Sequence, residues 1–262
     1  MQHLVLTVII IFSISFIFSM FGKGGGEFYI PTMITLLSIP FYTAAGISVF
    51  LIFLQSVSMV FVYHIKNKLI DWYLAIVLAF IIGIFSFLGG FFSVGISPIY
   101  LKILFSIFLL ISAYFMIKEK KVIAKKEKWG VWHREFGDIS YDINLSYLLP
   151  PIALISVVVG MIGISGGGLM VPLLILLGGV PIRVAMGTNT FLILASSSMS
   201  VLGHVMHGGI DWKLAAILGF AVISGSQIGS RLHSKIGDLQ LKFGFVAILI
   251  IAAGWMILKI FV

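Results

Sequence analysis

The sequence contains no cysteine and only 9 acidic residues, and charged residues of any kind make up just 10% of its 262 positions. Each shortage removes a class of protein. Without cysteine there is no thiol nucleophile, no Cys-ligated zinc or iron–sulfur centre and no disulfide framework. With so few charges a water-soluble fold cannot cover its surface, because soluble domains carry about 25% charged residues. No Walker-type motif supports an ATP-driven pump. What fills the chain is hydrophobic, at 60% of residues, the composition of an all-α polytopic membrane protein. The net charge of +8 comes mostly from basic residues between apolar runs. Membrane orientation accounts for them better than nucleic-acid binding does.

A helix needs about 20 apolar residues to cross the hydrocarbon core. Apolar runs cover 4–21, 44–65, 73–93, 97–117, 148–164, 184–206, 213–230 and 241–261, which predicts about eight long transmembrane helices. Two shorter runs, 28–39 and 169–178, each follow a glycine cluster and end near a proline. At 1.5 Å per residue they reach about half way across, so they are expected to be half-helices or re-entrant segments. The polar stretch 118–147 holds Lys118, Lys120, Lys121, Lys125, Lys126, Lys128, Trp129, Trp132, Arg134 and Tyr141. It is expected to be a cytoplasmic linker, with room for an interfacial helix. The first run lacks a basic n-region and a small-x-small site before Gly22, so it is expected to stay in the mature protein as a span.

The chain repeats itself. Gly22-Lys-Gly-Gly-Gly-Glu-Phe-Tyr-Ile-Pro31 matches Gly163-Ile-Ser-Gly-Gly-Gly-Leu-Met-Val-Pro172 at an offset of 141. The same offset pairs Pro40 with Pro181, Gly46 with Gly187 and Phe50 with Phe191. After one deletion, an offset of 140 pairs His64 with His204, Asp71-Trp72 with Asp211-Trp212, and Gly89 with Gly229. Two homologous halves follow, 1–117 and 148–262, joined by the linker 118–147. If each glycine cluster turns the chain back to its own side, the halves are inverted. Lys66, Lys68, the linker, Arg183, Arg231, Lys235 and Lys242 then share the cytoplasmic face, as the positive-inside rule asks. Inverted repeats with interrupted helices are a recurring transporter plan, with the site at the midplane.

Gly163-Ile-Ser-Gly-Gly-Gly-Leu-Met-Val-Pro172, then Val180-Pro-Ile-Arg-Val-Ala-Met-Gly-Thr-Asn-Thr190, His207-Gly-Gly-Ile-Asp-Trp212 and Gly225-Ser-Gln-Ile-Gly-Ser-Arg231 together resemble the signature of the TauE/SafE permeases. The similarity runs over nearly the whole chain and is densest over 160–235. It implies a secondary transporter, of prokaryotic plasma-membrane type, for sulfite-like, thiosulfate-like or sulfonate anions. Such a carrier works by alternating access and is coupled to an ion or proton gradient. Small carboxylates as substrates, or an anion channel, are the alternatives. The resemblance implies neither enzymatic activity nor a cofactor.

The residues offer their own route to an anion. A helix N-terminus presents unpaired N–H groups and the positive end of a dipole, and glycine lets a ligand approach them. Gly24, Gly25 and Gly26 precede one short run, and Ser165, Gly166, Gly167 and Gly168 precede the other. These are the expected substrate-binding residues, joined by Thr188, Asn189, Thr190 and Gln227 as polar groups within spans. Lys23 and Glu27, four residues apart, are the candidates for ion coupling or for a structural pair. They have no counterpart in the second half, where Ile164 and Gly168 stand. The neighbouring serines suit bonds to their own helix. His204 and His207 lack a third ligand for a metal. Gly83 and Gly219 offer small faces for packing within or between subunits.

Overall fold

The computed structural model describes residues 2–66, 68–92, 98–118, 130–137, 139–206 and 210–261. Five helices precede the linker: α1 (Gln2–Met20), α2 (Gly26–Leu37), α3 (Phe41–Phe61), α4 (Trp72–Phe91) and α5 (Pro98–Lys118). Five follow it: α6 (Leu145–Ile162), α7 (Gly167–Leu176), α8 (Ile182–Val205), α9 (Trp212–Leu232) and α10 (Asp238–Phe261). Among the described residues seven helices are long and apolar enough to cross a membrane, and α5 adds a further 21-residue helix. The protein is an integral, multi-pass membrane protein. α2 and α7 have 12 and 10 residues, matching the short runs in the sequence.

The helix ends repeat as the sequence does. Pro40 and Pro181 occupy the N-caps of α3 and α8 with nearly identical backbone angles. Asp71 and Asp211 cap α4 and α9 through their carboxylates, which accept from the amides of the first turn. Gly22 and Gly163 turn the chain out of α1 and α6 at φ +61° and +80°, a region L-residues avoid. Each lies against the partner half: a Cβ on Gly22 would stand 2.5 Å from the Met186 carbonyl oxygen, and one on Gly163 2.8 Å from that of Ala45.

The helices pack across the halves. α1 lies on α9 as its counterpart α6 lies on α4, and α3 packs on α9 as α8 packs on α4. α3 and α8 meet each other directly. Tyr42 at the start of α3 packs at a tilt against His204 near the end of α8, with ring centroids 5.7 Å apart. At the other end Tyr63, just past α3, donates to the Ser19 carbonyl, while Asn189, near the start of α8, donates to that of Gly22. These counterpart helices therefore run antiparallel. Gly83 and Gly219 face Met199 and Leu54 of the same chain.

The described part of the linker is not an interfacial helix. It forms an antiparallel hairpin, β1 (Val131–Phe136) paired with β2 (Ile139–Asn144), with Arg134 opposite Tyr141. The reason is local. In Ile139-Ser-Tyr-Asp-Ile-Asn144 β-branched and aromatic residues alternate with polar ones, a period of two, and Gly137 takes a positive φ in the turn. The basic residues Lys120, Lys121, Lys125, Lys126 and Lys128, together with Trp129 and His207, lie outside the described residues.

Candidate functional site

The two breaks cross. Ser165 Oγ donates to the Gly24 carbonyl at 3.0 Å, and these residues stand at the same position of the repeat, 141 apart. Around them a second matched pair holds each break to the opposite half. Asn189 Nδ2 donates to the Gly22 carbonyl at 2.8 Å, and its counterpart Ser48 donates to the Gly163 carbonyl at 2.9 Å.

Beside this crossing sits an ion pair with no exposed side-chain surface: Lys23 Nζ lies 3.3 Å from Glu27 Oε1. Isolated charges inside a membrane cost several kcal/mol, so pairing is what permits them there. Glu27 belongs to the first turn of α2, where the helix dipole favours a carboxylate. Lys23 is placed differently. Its side chain runs across the start of α7, where a Cβ on Gly168 would meet both Cε and Nζ at 3.1 Å. A Cβ on Gly167 would meet Asn189 Nδ2 at 2.9 Å. An ammonium at the positive end of a helix is electrostatically unfavourable by itself. Phe18 lies under it, 5.1 Å from Nζ to the ring centroid. Glu27 Oε2 and Asn189 Oδ1 are buried without a hydrogen-bond partner among the described residues.

The start of α2 is furnished otherwise. Gln55 Oε1 accepts from the Gly25 amide at 3.1 Å and from Tyr29 OH at 2.8 Å. Its Nε2 donates to Ser19 Oγ and the Lys23 carbonyl. The counterpart of Gln55 is Ser196, whose hydroxyl bonds Ser86 instead. Gln55 stands out in the sequence only as a polar residue in a span, and the length of its reach to Gly25 is what the sequence could not supply.

Of the expected site residues, the structure brings together Lys23, Gly24, Gly25, Gly26, Glu27, Ser165, Gly166, Gly167, Gly168 and Asn189. Thr188 and Thr190 are buried close by but bonded elsewhere: Thr188 Oγ1 accepts from the Asp71 amide, and Thr190 bonds Gly187 of its own helix. Gln227 is not brought to the crossing; it donates to the Ser58 carbonyl and accepts from Arg231. Ser197 and Ser198 bond their own helix carbonyls. His64 accepts from Trp72 Nε1 at 3.0 Å.

In a second cluster only Asp71 belongs to the repeat; its partners come from the linker. Asp71 accepts from Arg134 Nε and Nη2 at 3.1 and 2.7 Å and from Tyr141 OH at 2.6 Å. The Arg134 guanidinium also lies over the rings of Tyr73 and Trp132. Burial disfavours the Asp71 charge, but the bonds from Arg134, Tyr141 and the Leu74 amide outweigh it and hold the carboxyl below its ordinary range. This clamp fastens the linker hairpin to the first half. Asp211, the counterpart, caps its helix without any such partner among the described residues.

Among the described residues ten helices, two of them half-length and meeting at a shared buried crossing, define the class: a polytopic membrane protein. The chain belongs to the TauE/SafE sulfite exporter family, whose model matches residues 7–256. It is 28% identical over 229 residues to the probable membrane transporter protein YunE of Bacillus subtilis, covering 83% of this chain and 84% of that protein. It is 27% identical over 275 residues to the probable membrane transporter protein MJ0441 of Methanocaldococcus jannaschii, covering 97% and 95%. A 108-residue stretch is 34% identical to sulfite exporter TauE/SafE family protein 1 of Arabidopsis thaliana, covering 41% of this chain and 23% of that protein. No solved structure matches the chain.

Proposed function

We propose that this protein is a secondary active transporter that moves small sulfur-containing anions, such as sulfite, thiosulfate or a sulfonate, by alternating access. Transport is coupled to an ion or proton gradient. The observation that carries the reading is a buried ammonium, Lys23, beside the start of α7 where that half-helix crosses its counterpart. Two N-termini and an ammonium, against a single carboxylate, make a positive, water-poor locus that suits an oxyanion.

In this reading 1–117 and 148–262 are inverted repeats about the crossing, and the hairpin-bearing linker 118–147 is cytoplasmic, in a prokaryotic plasma membrane. The antiparallel course of α3 and α8 and the matched cross-half contacts support the inversion. Alternating access follows if the two halves exchange conformations, since each half-helix start would then face either side in turn.

The test is counterflow in proteoliposomes. Vesicles loaded with unlabelled sulfite should accumulate labelled sulfite transiently and saturably, with acetate and chloride competing poorly. Equal competition by acetate would move the substrate to carboxylates. Flux that neither saturates nor exchanges would indicate a channel.

A further inference from the structure

The repeat invites a symmetric site with one anion seat at each half-helix, but the side chains are not symmetric. The α2 start is already furnished: Gln55 takes the Gly25 amide, and Glu27 supplies a carboxylate to the first turn. A Cβ on Gly25 would meet Ile14 and the Tyr29 ring, and one on Gly26 would meet Ile52 and Ser48 Oγ, a hydroxyl already donated to the Gly163 carbonyl. Both N-caps are glycines without a side-chain bond, and at α7 the counterpart of Gln55 is Ser196, which bonds Ser86 instead. The polar groups aimed at the α7 start are Asn189 and, from the other half, Lys23. Lys23 Nζ is buried there without a hydrogen-bond partner among the described residues, and the acceptors Glu27 Oε2 and Asn189 Oδ1 beside it are likewise unpartnered.

We infer that the α7 start alone holds the anion, that Lys23 crosses from the first half to pair with it, and that Glu27 is an internal counter-ion displaced by substrate. The inference rests on the anion-transport reading and assigns its site. The ligand it describes is a small oxyanion compact enough to replace one carboxylate oxygen at Lys23 Nζ while accepting from the Gly167 and Gly168 amides. A released Glu27 carboxylate is left buried without its cation, so it takes one proton from solvent onto a carboxyl oxygen. The carboxylic acid then has an O–H to donate and no charge to desolvate. The titratable groups facing Glu27 are Lys23 and Tyr29, and the Tyr29 hydroxyl is engaged by Gln55. Anion and proton therefore bind together, one of each.

The experiment uses the full chain in detergent, titrated with sodium sulfate and, separately, sodium sulfite, in buffers of different ionisation enthalpy. Calorimetry then reads affinity and proton uptake independently. The parent should take up about one proton per sulfate bound. Glu27→Gln should bind sulfate at least tenfold tighter with no proton uptake, because the internal competitor is gone. The paired variant Lys23→Met/Glu27→Gln, neutral and of similar volume, should fold and lose sulfate binding at least tenfold. If that double variant binds as the parent does, or if Glu27→Gln binds more weakly, the one-sided site is overturned while anion transport stands. If the folded parent binds neither anion and transports neither in vesicles, both readings fail together.

Discussion

Ser165 Oγ bonds the carbonyl oxygen of Gly24, the residue that occupies its own position in the other half of the chain. In the inverted-repeat reading proposed above, a bond between two equivalent residues lies beside the pseudo-two-fold axis. Everything asymmetric in the site is measured from it: Lys23 and Glu27 lie on one side, Ile164 and Gly168 on the other.

That contact predicts a size-complementary pair. A Cβ on Gly24 would stand 2.6 Å from the Ser165 Cβ and 3.1 Å from Ile52 Cγ2, so Gly24→Ala should destabilise by about 1–3 kcal/mol through overpacking. Ser165→Gly in the same chain should restore much of that loss. Thermal unfolding in detergent of both single variants and the double variant closes the cycle; strictly additive effects would contradict the contact.

The buried ion pair should behave as a unit. Lys23→Met leaves the Glu27 carboxylate buried alone, a loss of about 3–5 kcal/mol when one member of such a pair is removed. Adding Glu27→Gln should bring stability back to within about 1–2 kcal/mol of the parent, since a neutral replacement carries no desolvation penalty. The same unfolding measurement, without added anion, decides it.

The linker clamp should be sensitive to geometry as well as charge. Arg134→Ala should cost about 2–3 kcal/mol, typical for charge-assisted bonds. Arg134→Lys should recover little, because lysine offers neither the planar two-point fork nor the stacking on Tyr73 and Trp132. Asp211→Ala, which removes only a cap, should cost about 1 kcal/mol.

The same clamp has a pH signature. The folded Asp71 carboxyl sits below its ordinary 3.8, so its contribution is complete above that value and is lost as pH falls through the lower folded one. Between pH 7 and 5 the parent and Asp71→Asn should differ in melting temperature by a constant amount. Below about pH 4 the difference should shrink.

Asn189 can be tested by borrowing from the first half. Asn189→Ala removes the bond to the Gly22 carbonyl and should cost about 1 kcal/mol. Asn189→Ser copies the Ser48 solution and should hold the fold better. Both should impair sulfite counterflow, because neither returns a carboxamide to the start of α7.

The breaks at Gly22 and Gly163 and the two half-length helices are legible in the chain. Each is a local consequence of residue type, and the repeat stated each of them twice. The alternation of Ile139–Asn144 is equally local, but its partner Val131–Phe136 carries none and is placed by the pairing. The site was legible only as a set of glycines and polar residues. Gln227 carries the same chemistry as Gln55, but it bonds Ser58 and Arg231 while Gln55 reaches into the α2 break. Nothing local distinguishes them.

By itself, then, the sequence determined a membrane-spanning, largely helical chain of two related halves, because apolar length and glycine breaks act over a few residues. Only the tertiary structure decided that Ser165 meets Gly24, that Lys23 lies across α7 rather than beside its own helix alone, and that Arg134 closes on Asp71. Those contacts join residues from 63 to 145 positions apart. Their partners are chosen by how the helices pack, and periodicity records which face of a helix is buried but not what it is buried against.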